Sequence, residues 1–502
     1  HRIRNFRIPY QKRRRMMKFR FRHFFYAAAV ILAAACNEER ANPDKSDKTD
    51  NKEDNTENVI KENPTLPRPQ LRAAWMATVW GLDWPDGKYD EASQKALYTE
   101  YLDSFKKLGI NAIFFQVRGM ADAYYESAYE PWSRTITGTA GKNPGYDIMD
   151  FLISETHKRG MEFHAWINPY RVSTPSYFQE GLDKKIPESM VIKYDKIWVY
   201  NPALPEVRQR IADIVKEIVT KYNVDGIHMD DYFYQTSSLP LNDESDYKKY
   251  GSGYNSIEDF RRGNIFEMVK LVKSTLLANK PEVAFTIGPQ GNYDNNYKSQ
   301  YIDMPKVCAA KLIDAVIPQL YWSTKASKDY YTPRLDWWSQ NVSGIPMMVG
   351  HSLSGFKENK AGYESSSELE TQFSLADRKS NSHGHVLYSA KTIKSNPKSI
   401  QSVISKSFST KALLPHLGGT GADVAPEKPK NIVLSGNTLN WDEVKNAKYY
   451  AVYKSNGDKR IATLIETVDG LSFQLTEKGK YFVTALDSNN LQSAISDIVE
   501  YK

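Results

Sequence analysis

Short apolar runs alternate with longer amphipathic stretches between residues 71 and 415 of this chain. The runs have the length and composition of buried parallel strands, which are apolar on both faces. Between them, stretches such as Val207–Tyr222 carry apolar residues on one helical face, and Pro205 suits the first turn of that helix. The eight candidate strands are Leu71–Val79, Ala112–Val117, Glu162–Ile167, Val224–Met229, Val283–Ile287, Ala315–Leu320, Pro346–Val349 and His385–Tyr388.

Further helical patterns separate these strands and complete a strand-then-helix repeat. They lie at Glu91–Leu108, Tyr146–Arg159, Ile257–Asn279 and Ser366–Ser380. Eight such units predict the α/β class and a (β/α)8 TIM barrel over residues 68–415. An open doubly wound sheet is the alternative, but no glycine-rich phosphate loop follows the first strand.

The chain changes character after the barrel. Residues 416–428 are rich in Gly, Pro and Lys and are predicted to form a linker. Residues 429–502 then contain only short strand patterns separated by turn signals, which predicts a small all-β sandwich. The runs Leu439–Trp441, Ala447–Tyr453 and Tyr481–Ala485 resemble those of a fibronectin type III module.

The formal net charge of +7 belongs to the amino terminus. Residues 1–23 contain ten Lys and Arg and no acid, and residues 24–35 are uncharged, so residues 36–502 carry −3. A body with this charge lacks the basic excess that binds a polyanion. We therefore expect no nucleic-acid partner.

The same amino terminus has the pattern of an export signal. Basic residues precede an apolar run at residues 24–35 that is too short to span a bilayer as a helix. Three alanines followed by Cys36 resemble the cleavage site of a bacterial lipoprotein, so residues 1–35 are predicted to be a signal peptide and Cys36 the lipidated residue. Met16-Met17 is a more natural start than His1, which makes residues 1–15 an upstream extension in this interpretation.

Residues 36–67 are rich in Asn, Asp, Glu, Lys, Thr and Pro, which predicts a disordered tether. We expect an exported monomer that is anchored by its lipid to a membrane, most simply the outer membrane. The one other cysteine, Cys308, lies in an apolar context and is predicted to be a core residue. Disulfides and a cysteine-based zinc site are then excluded.

Polar residues fall on the face of the strands that should line the barrel. Side chains alternate along a strand, and the apolar set suits the helix layer, so the polar set faces inward. These residues lie toward the carboxyl ends of their strands, where barrel enzymes hold their active sites. The inward set is Gln116, Arg118, His164, Trp166, Asn168, His228, Asp230, Thr286, Gln290, Gln319 and Tyr321.

Two adjacent carboxylates, Asp230 and Asp231, end an apolar strand beside a histidine and three aromatic residues. Asp230 shares the inward parity and is the first choice for a catalytic carboxylate. Its partner could be Asp231, Asp122 or Glu130, and a carboxylate here could instead cap a helix or pair with an arginine. A metal on His228 and Asp230 would lack a clear third ligand, so neither a metal nor a cofactor is predicted.

Aromatic residues in the loops after the strands favour a sugar ligand, because flat faces stack on pyranose rings while neighbouring polar groups bond to the hydroxyls. Trp80, Trp132 and Tyr170 are examples of these loop residues. The predicted substrate-binding residues are Gln116, Arg118, His164, Trp166, Asn168, Arg171, His228, Tyr232, Gln319, Tyr321, Trp322 and His351.

Several long motifs together resemble the glycosyl-hydrolase-10-like lipoprotein family, once catalogued as a domain of unknown function. The motifs are Leu71–Val79, Asp83–Pro85, Gln116–Arg118, Ala121–Tyr125, Glu130–Ser133, His164–Arg171 and Asp225–Phe233. The resemblance covers residues 68–415 and implies a glycoside hydrolase barrel. It also implies a substrate, because a relative in enteric bacteria is an outer-membrane lipoprotein that cleaves peptide-free peptidoglycan strands.

This chain departs from the family pattern at Gly288–Tyr293, where many relatives carry a Ser-Pro-aromatic-Gly sequence. It also lacks a Glu at the ends of strands four and seven, so the catalytic pair of family 10 xylanases cannot be transferred. The predicted function is hydrolysis of cell-envelope glycan. A surface glycosidase for a foreign polysaccharide and a non-catalytic glycan-binding lipoprotein are the alternatives.

Overall fold

The computed structural model describes residues 60–177, 181–230, 232–234, 240–342, 344–419 and 423–502. The predicted signal peptide, the lipidation site Cys36 and the candidate carboxylate Asp231 lie outside the described residues. No helix within these ranges is long and apolar enough to cross a membrane.

The strands of the described ranges are numbered β1–β18 in chain order. They are Leu71–Met76, Ala112–Arg118, Glu162–Ile167, Arg171–Ser173, Val191–Tyr194, Ile197–Tyr200, Gly226–Met229, Ala284–Ile287, Ala315–Val316, Met347–Ser352, Ser382–Tyr388, Val433–Ser435, Thr438–Asn440, Tyr449–Lys454, Thr463–Val468, Ser472–Gln474, Gly479–Leu486 and Val499–Tyr501.

The α-helices of the same ranges are numbered α1–α13. They are Glu91–Lys107, Arg134–Thr137, Ile148–His157, Pro205–Lys221, Glu244–Tyr250, Ile257–Asn279, Tyr293–Lys298, Met304–Ala309, Tyr331–Asn341, Ser354–Glu358, Ser367–Asp377, Ala390–Ser395 and Ile400–Ser407.

Eight parallel strands close into a barrel in the order β1-β11-β10-β9-β8-β7-β3-β2. They are the eight predicted strands, so the predicted TIM barrel is confirmed. Closure joins the first and last strands, with Leu71 opposite Gly384 and Trp75 opposite Tyr388. The carboxyl ends of all eight strands therefore meet in one mouth.

Helices surround the barrel, and their ends follow local sequence signals. Helix α4 begins with Pro205 and buries its apolar stripe against the barrel and against α6. Asp90, Asp147 and Ser256 cap α1, α3 and α6 by accepting a backbone N–H from the first turn. The outer core between helices and strands contains Cys308, which is buried as predicted.

A second apolar cluster fills the amino-terminal part of the barrel interior. Leu71, Ala73 and Val386 are among its members, and Leu417, which follows the last helix α13, also packs in it. The interior also holds the buried His164 and His228, and toward the mouth it holds the buried Gln116, Asn168 and Asp230. Packing thus occupies one end of the barrel and leaves the other for chemistry.

A small antiparallel sheet, β4-β6-β5, is inserted between β3 and α4 at the mouth. Sequence analysis did not predict it, because strands of three or four residues give little periodic signal. It carries Arg171 at its start and Tyr200 at its end, and both side chains are buried near the mouth.

The seven strands after the barrel form two antiparallel sheets, β12-β13-β16 and β15-β14-β17-β18. Leu439, Trp441 and Val452 are among the residues in the core between them. The small β domain is thus as predicted, and its fibronectin type III-like character stays a prediction. Asn490 donates a hydrogen bond of 3.0 Å to Glu162 at the start of β3, so this domain lies at the end of the barrel opposite the mouth.

The last residues of the predicted tether contact the same β domain. Thr65 exchanges backbone hydrogen bonds of 2.8 Å with Arg460 and Ala462. Glu62 forms an ion pair of 2.5 Å with Lys480. The chain therefore reaches the barrel by way of the β domain, and at least residues 62–65 belong to the folded structure rather than to a free tether.

Candidate active site

A relay of side-chain hydrogen bonds orients Asp230 at the carboxyl end of β7. Oε1 of Gln116 accepts the backbone N–H groups of Thr78 and Val79, each at 2.9 Å. Its Nε2 must then donate to Oδ1 of Asn168, at 2.6 Å. Nδ2 of Asn168 in turn donates to Oδ1 of Asp230, also at 2.6 Å. Each amide orientation follows from the one before it, so Asp230 receives an N–H donor whose direction is fixed.

Aromatic side chains form a cup beside this carboxylate. Tyr321 stacks on Tyr388 with 6.1 Å between ring centroids and 28° between planes. Trp75 packs edge-on against Tyr388. Trp166 is 6% exposed in the same interior cluster, and its indole N–H has no hydrogen-bond partner within the described part of the chain. The cup therefore offers ring faces and one unused donor, which suits a sugar.

Tyr388 was missed by the sequence analysis. Burial raises its pKa, and the charges of Asp83 and Asp230 raise it further, so its hydroxyl stays protonated near the carboxylate. The alternation rule applied to the last strand would have found it, because Val386 and Tyr388 share the inward face.

A positive group stands near the same mouth. The guanidinium of Arg171 lies 4.0 Å from the ring centroid of Tyr232. Arg171 also donates a long hydrogen bond of 3.4 Å to the carbonyl of Gly119. Arg171, Tyr232 and Asp230 all act on the pKa of Tyr388, which places the three near one another. These predicted residues are thus brought together at the mouth.

Asp83 clamps the ends of the first and last barrel strands. Its Oδ2 accepts the N–H of Ala77 at 2.7 Å, and its Oδ1 accepts Ser389 Oγ at 2.8 Å and Lys391 N at 3.0 Å. Burial raises its pKa to about 6, against the effect of these donors. All its partners belong to the protein, so Asp83 stabilises the mouth rather than meeting substrate.

Glu130 was a candidate carboxylate, and the structure gives it a different task. It forms a two-bond ion pair with Arg118, at 2.7 Å for each N–O contact, and both side chains are 1% exposed. Burial raises the Glu130 pKa, and the Arg118 charge opposes that rise. Arg118 also donates to the carbonyl of Asn168. The pair supports the loop that holds Asn168 and leaves neither residue for a sugar.

Asp122 follows β2 at the same end of the barrel. Its Oδ1 accepts the N–H of Met120 at 3.1 Å, and its Oδ2 accepts the hydroxyl of Tyr177 at 2.7 Å. Asp122 lines a small surface cavity with Val172 and Trp198. It remains a candidate for the second carboxylate.

The two inward histidines lie below the mouth. His228 accepts the Trp75 indole N–H at Nε2, at 3.1 Å, and its Nδ1 then donates to Thr286 Oγ1 at 2.9 Å. Burial lowers its pKa well below the ordinary value, so it is neutral and fully engaged. His164 lies deeper still and contacts Glu162 at 2.9 Å. Both histidines are thus buried against protein partners, and their role in substrate binding stays a prediction.

His351 and Trp322 both have partners in the outer core. Gly350 faces inward against Trp75, so the next residue, His351, points into the outer core. There His351 bonds to Gln372 and His385, each at 3.1 Å. Trp322 packs against the same outer core, and the guanidinium carbon of Arg334 lies 4.0 Å from its ring centroid. Strand parity explains the correction for His351.

Gln319 is partly exposed beyond the carboxyl end of β9, and its Nε2 donates to the carbonyl of Gly288 at 2.8 Å. No group of three or more His, Cys, Asp or Glu in the described ranges is arranged to hold a metal ion. The predicted residues with contacts described at the mouth include Asn168, Asp230, Trp166, Arg171, Tyr232 and Tyr321, and their roles stay predictions.

The barrel sequence matches the family described as Glycosyl hydrolase-like 10 over residues 70–374. The chain belongs to the glycosyl hydrolase-like 10 family. It is 33% identical over 472 residues to the glycosyl hydrolase YngK of Bacillus subtilis, which covers 85% of this chain and 92% of that protein. It is 36% identical over 308 residues to the glycosyl hydrolase DigH of Escherichia coli K12, which covers 54% of this chain and 70% of that protein.

Among solved structures, the glycoside hydrolase domain of PgaB from Bordetella bronchiseptica matches with a TM-score of 0.46 and 11% identity, over 70% of this chain and 100% of that one. Membership of the glycosyl hydrolase-like 10 family makes the chain a glycoside hydrolase, and its substrate is a glycan. For such chemistry the mouth supplies one oriented carboxylate, aromatic ring faces and a cation.

Proposed function

We propose that this glycosyl hydrolase-like 10 member cleaves peptide-free peptidoglycan strands with a pair of carboxylates, of which Asp230 is one. The observation that carries the proposal is the relay ending on Oδ1 of Asp230, which orients a carboxylate beside an aromatic cup. An ionised carboxylate acts as nucleophile or base in sugar hydrolysis, while its partner acts as acid.

The second carboxylate is proposed to be Asp122 or Asp231. Asp231 follows Asp230 in the chain. Asp122 follows β2, at the same end of the barrel. Glu130 is left out of the proposal because Arg118 occupies both of its oxygens. Substitution of each Asp separately, with azide rescue, separates the roles by the anomer of the glycosyl azide: azide that replaces a lost nucleophile gives the inverted anomer, and azide that replaces the water of the second step in a retaining enzyme gives the retained one.

The chemistry of the mouth supports a peptidoglycan glycan strand. The ring faces of Tyr321 and Tyr388 suit N-acetylated pyranoses, and the free Trp166 N–H suits a hydroxyl or acetamido oxygen. Arg171 suits the lactyl carboxylate that a muramic acid residue exposes once its peptide is removed. The family resemblance of the sequence points to the same substrate.

We also propose that Cys36 carries the lipid that anchors the protein to the outer membrane. Thr65 is bound to the β domain, at the end of the barrel opposite the mouth. Cys36→Ser should release the protein to the soluble fraction and abolish labelling by a palmitate analogue.

The proposed reaction is tested with purified protein and two substrates, intact sacculi and strands stripped of peptide by an amidase. Mass spectrometry should detect new reducing-end saccharides from the stripped strands and few from intact sacculi. Release from neither substrate contradicts the proposal. Cleavage of another polysaccharide, with the stripped strands untouched, would favour the surface glycosidase for a foreign polymer.

A further inference from the structure

The loop after β1, residues 78–83, exposes a large aromatic side chain at the mouth. Trp80 is 46% exposed and its neighbour Leu82 is 39% exposed. Val79, the residue before Trp80, is buried and packs against Met120 and Tyr177. The loop therefore buries one side chain and holds two apolar ones in solvent, which is typical of a binding surface.

The backbone holds Trp80 in an uncommon conformation. Its φ is +56° and its ψ is 12°, in the left-handed region that bulky residues avoid. The turn is fixed by hydrogen bonds from Gly81 N to Thr78 O at 2.7 Å and from Leu82 N to Val79 O at 3.2 Å. A turn fixed by these bonds gives the Trp80 backbone a defined conformation at the mouth.

The same side chain that orients Asp230 also fixes this loop. Gln116 Oε1 accepts the N–H groups of Thr78 and Val79, and Thr78 Oγ1 donates to the Gln116 carbonyl at 2.6 Å. Gln116 Nε2 bonds to Asn168, which bonds to Asp230. The exposed indole and the carboxylate are thus held in a constant relation by one buried amide.

We propose that Trp80, with Leu82 beside it, forms a sugar-binding subsite that stacks on the apolar face of one pyranose ring of the glycan chain. The inference rests on the proposed function, because the ring it holds is a neighbour of the ring at Asp230. The link from its loop to Asp230, through Gln116 and Asn168, argues for this occupant. An indole face beside a polar mouth suits N-acetylhexosamine rings.

The test uses the full exported chain, peptide-stripped glycan strands and initial rates over a range of strand concentrations. Trp80→Ala should raise KM by about tenfold and leave kcat within about threefold, because one stacked ring contributes binding but no chemistry. Trp80→Phe should stay within about threefold of the wild-type KM, because a ring face remains. Leu277→Ala, which alters an exposed side chain on α6, is the matched surface control.

A KM for Trp80→Ala equal to that of the wild type, with cleavage intact, overturns the subsite and leaves the proposed function standing. Strand binding that depends on Trp80, measured by tryptophan fluorescence in a wild type that does not cleave, overturns the hydrolysis and supports the subsite. Neither cleavage nor binding of the stripped strands overturns both. A collapse of kcat in Trp80→Ala with an unchanged KM also overturns the subsite, since it assigns the indole to positioning of Asp230.

Discussion

Nδ2 of Asn168 lies 2.6 Å from Oδ1 of Asp230, and its donor role is fixed from behind by Gln116. Two backbone N–H groups occupy Gln116 Oε1, so neither amide can turn over without losing bonds. The order of these bonds therefore fixes the orientation of the Asp230 carboxylate.

Gln116→Glu tests the relay with an isosteric change. A Glu side chain keeps an oxygen for Thr78 and Val79 but presents a second oxygen to Asn168, which must turn its Nδ2 away from Asp230. We expect kcat to fall by about 100-fold, a loss of the size seen when one oriented catalytic interaction is removed. Rates on stripped strands measure this, and an unchanged kcat at matched folded protein would contradict the relay.

Glu130→Gln should lower the free energy of unfolding more than it lowers the activity of the folded protein. It leaves the buried Arg118 charge without its partner, which costs about 3–5 kcal/mol in comparable buried pairs. Urea unfolding should show this loss, while the folded fraction keeps far more activity than an Asp230 variant. A Glu130→Gln protein that is as stable as the wild type but inactive would contradict this and indicate that Glu130 is one of the two catalytic carboxylates.

Gly226, in the motif that leads to Asp230, leaves room for a histidine. A Cβ at this position would lie 2.0 Å from His164 Nδ1, so Gly226→Ala overpacks the barrel interior. We expect a loss of about 1–3 kcal/mol or more in the free energy of unfolding. Gly470→Ala is the matched control, because a Cβ there meets nothing within 4 Å. Equal stability of the two variants would show that the interior is looser than described.

Acid should unfold the barrel partly through His351. Burial lowers its pKa to about 3, and His385 adds to the effect. The unfolded chain takes up this proton near pH 6.5 and the folded chain does not, so stability falls as pH falls from about 6.5 toward 3. Between pH 6.5 and 4 this one site costs about 3 kcal/mol. In His351→Gln the slope of the free energy of unfolding against pH should fall by the equivalent of one proton between pH 6.5 and 4. Unfolding measured at each pH gives this slope, and equal slopes for the variant and the wild type would refute the assignment.

The strand pattern predicted the barrel because buried parallel strands are apolar throughout and the helices between them have one apolar face. All eight strands and the helix Ile257–Asn279 follow that rule. The sheet β4-β6-β5 has strands of three and four residues, too short for any period, so only tertiary contacts define it.

Parity predicted which face a residue uses but not how deep it lies. His164 and Asn168 share one face, yet four residues along a strand span about 13 Å, so one lies in the interior and the other at the mouth. Parity also does not predict which side chains pair with each other. The sequence predicts Glu130 at the mouth, but its carboxylate forms a buried ion pair with Arg118. Such pairs arise between distant loops and carry no local signal.

The most direct test of the account is the rate at which Asp230→Asn cleaves peptide-stripped glycan strands. Asn at this position still accepts the bond from Asn168 Nδ2, so the fold and the unfolding midpoint should be retained. The account predicts a fall in kcat of about 1,000-fold or more with little change in KM, because only the ionised carboxylate performs the chemistry. Cleavage within tenfold of the wild-type rate by a folded Asp230→Asn protein would contradict it.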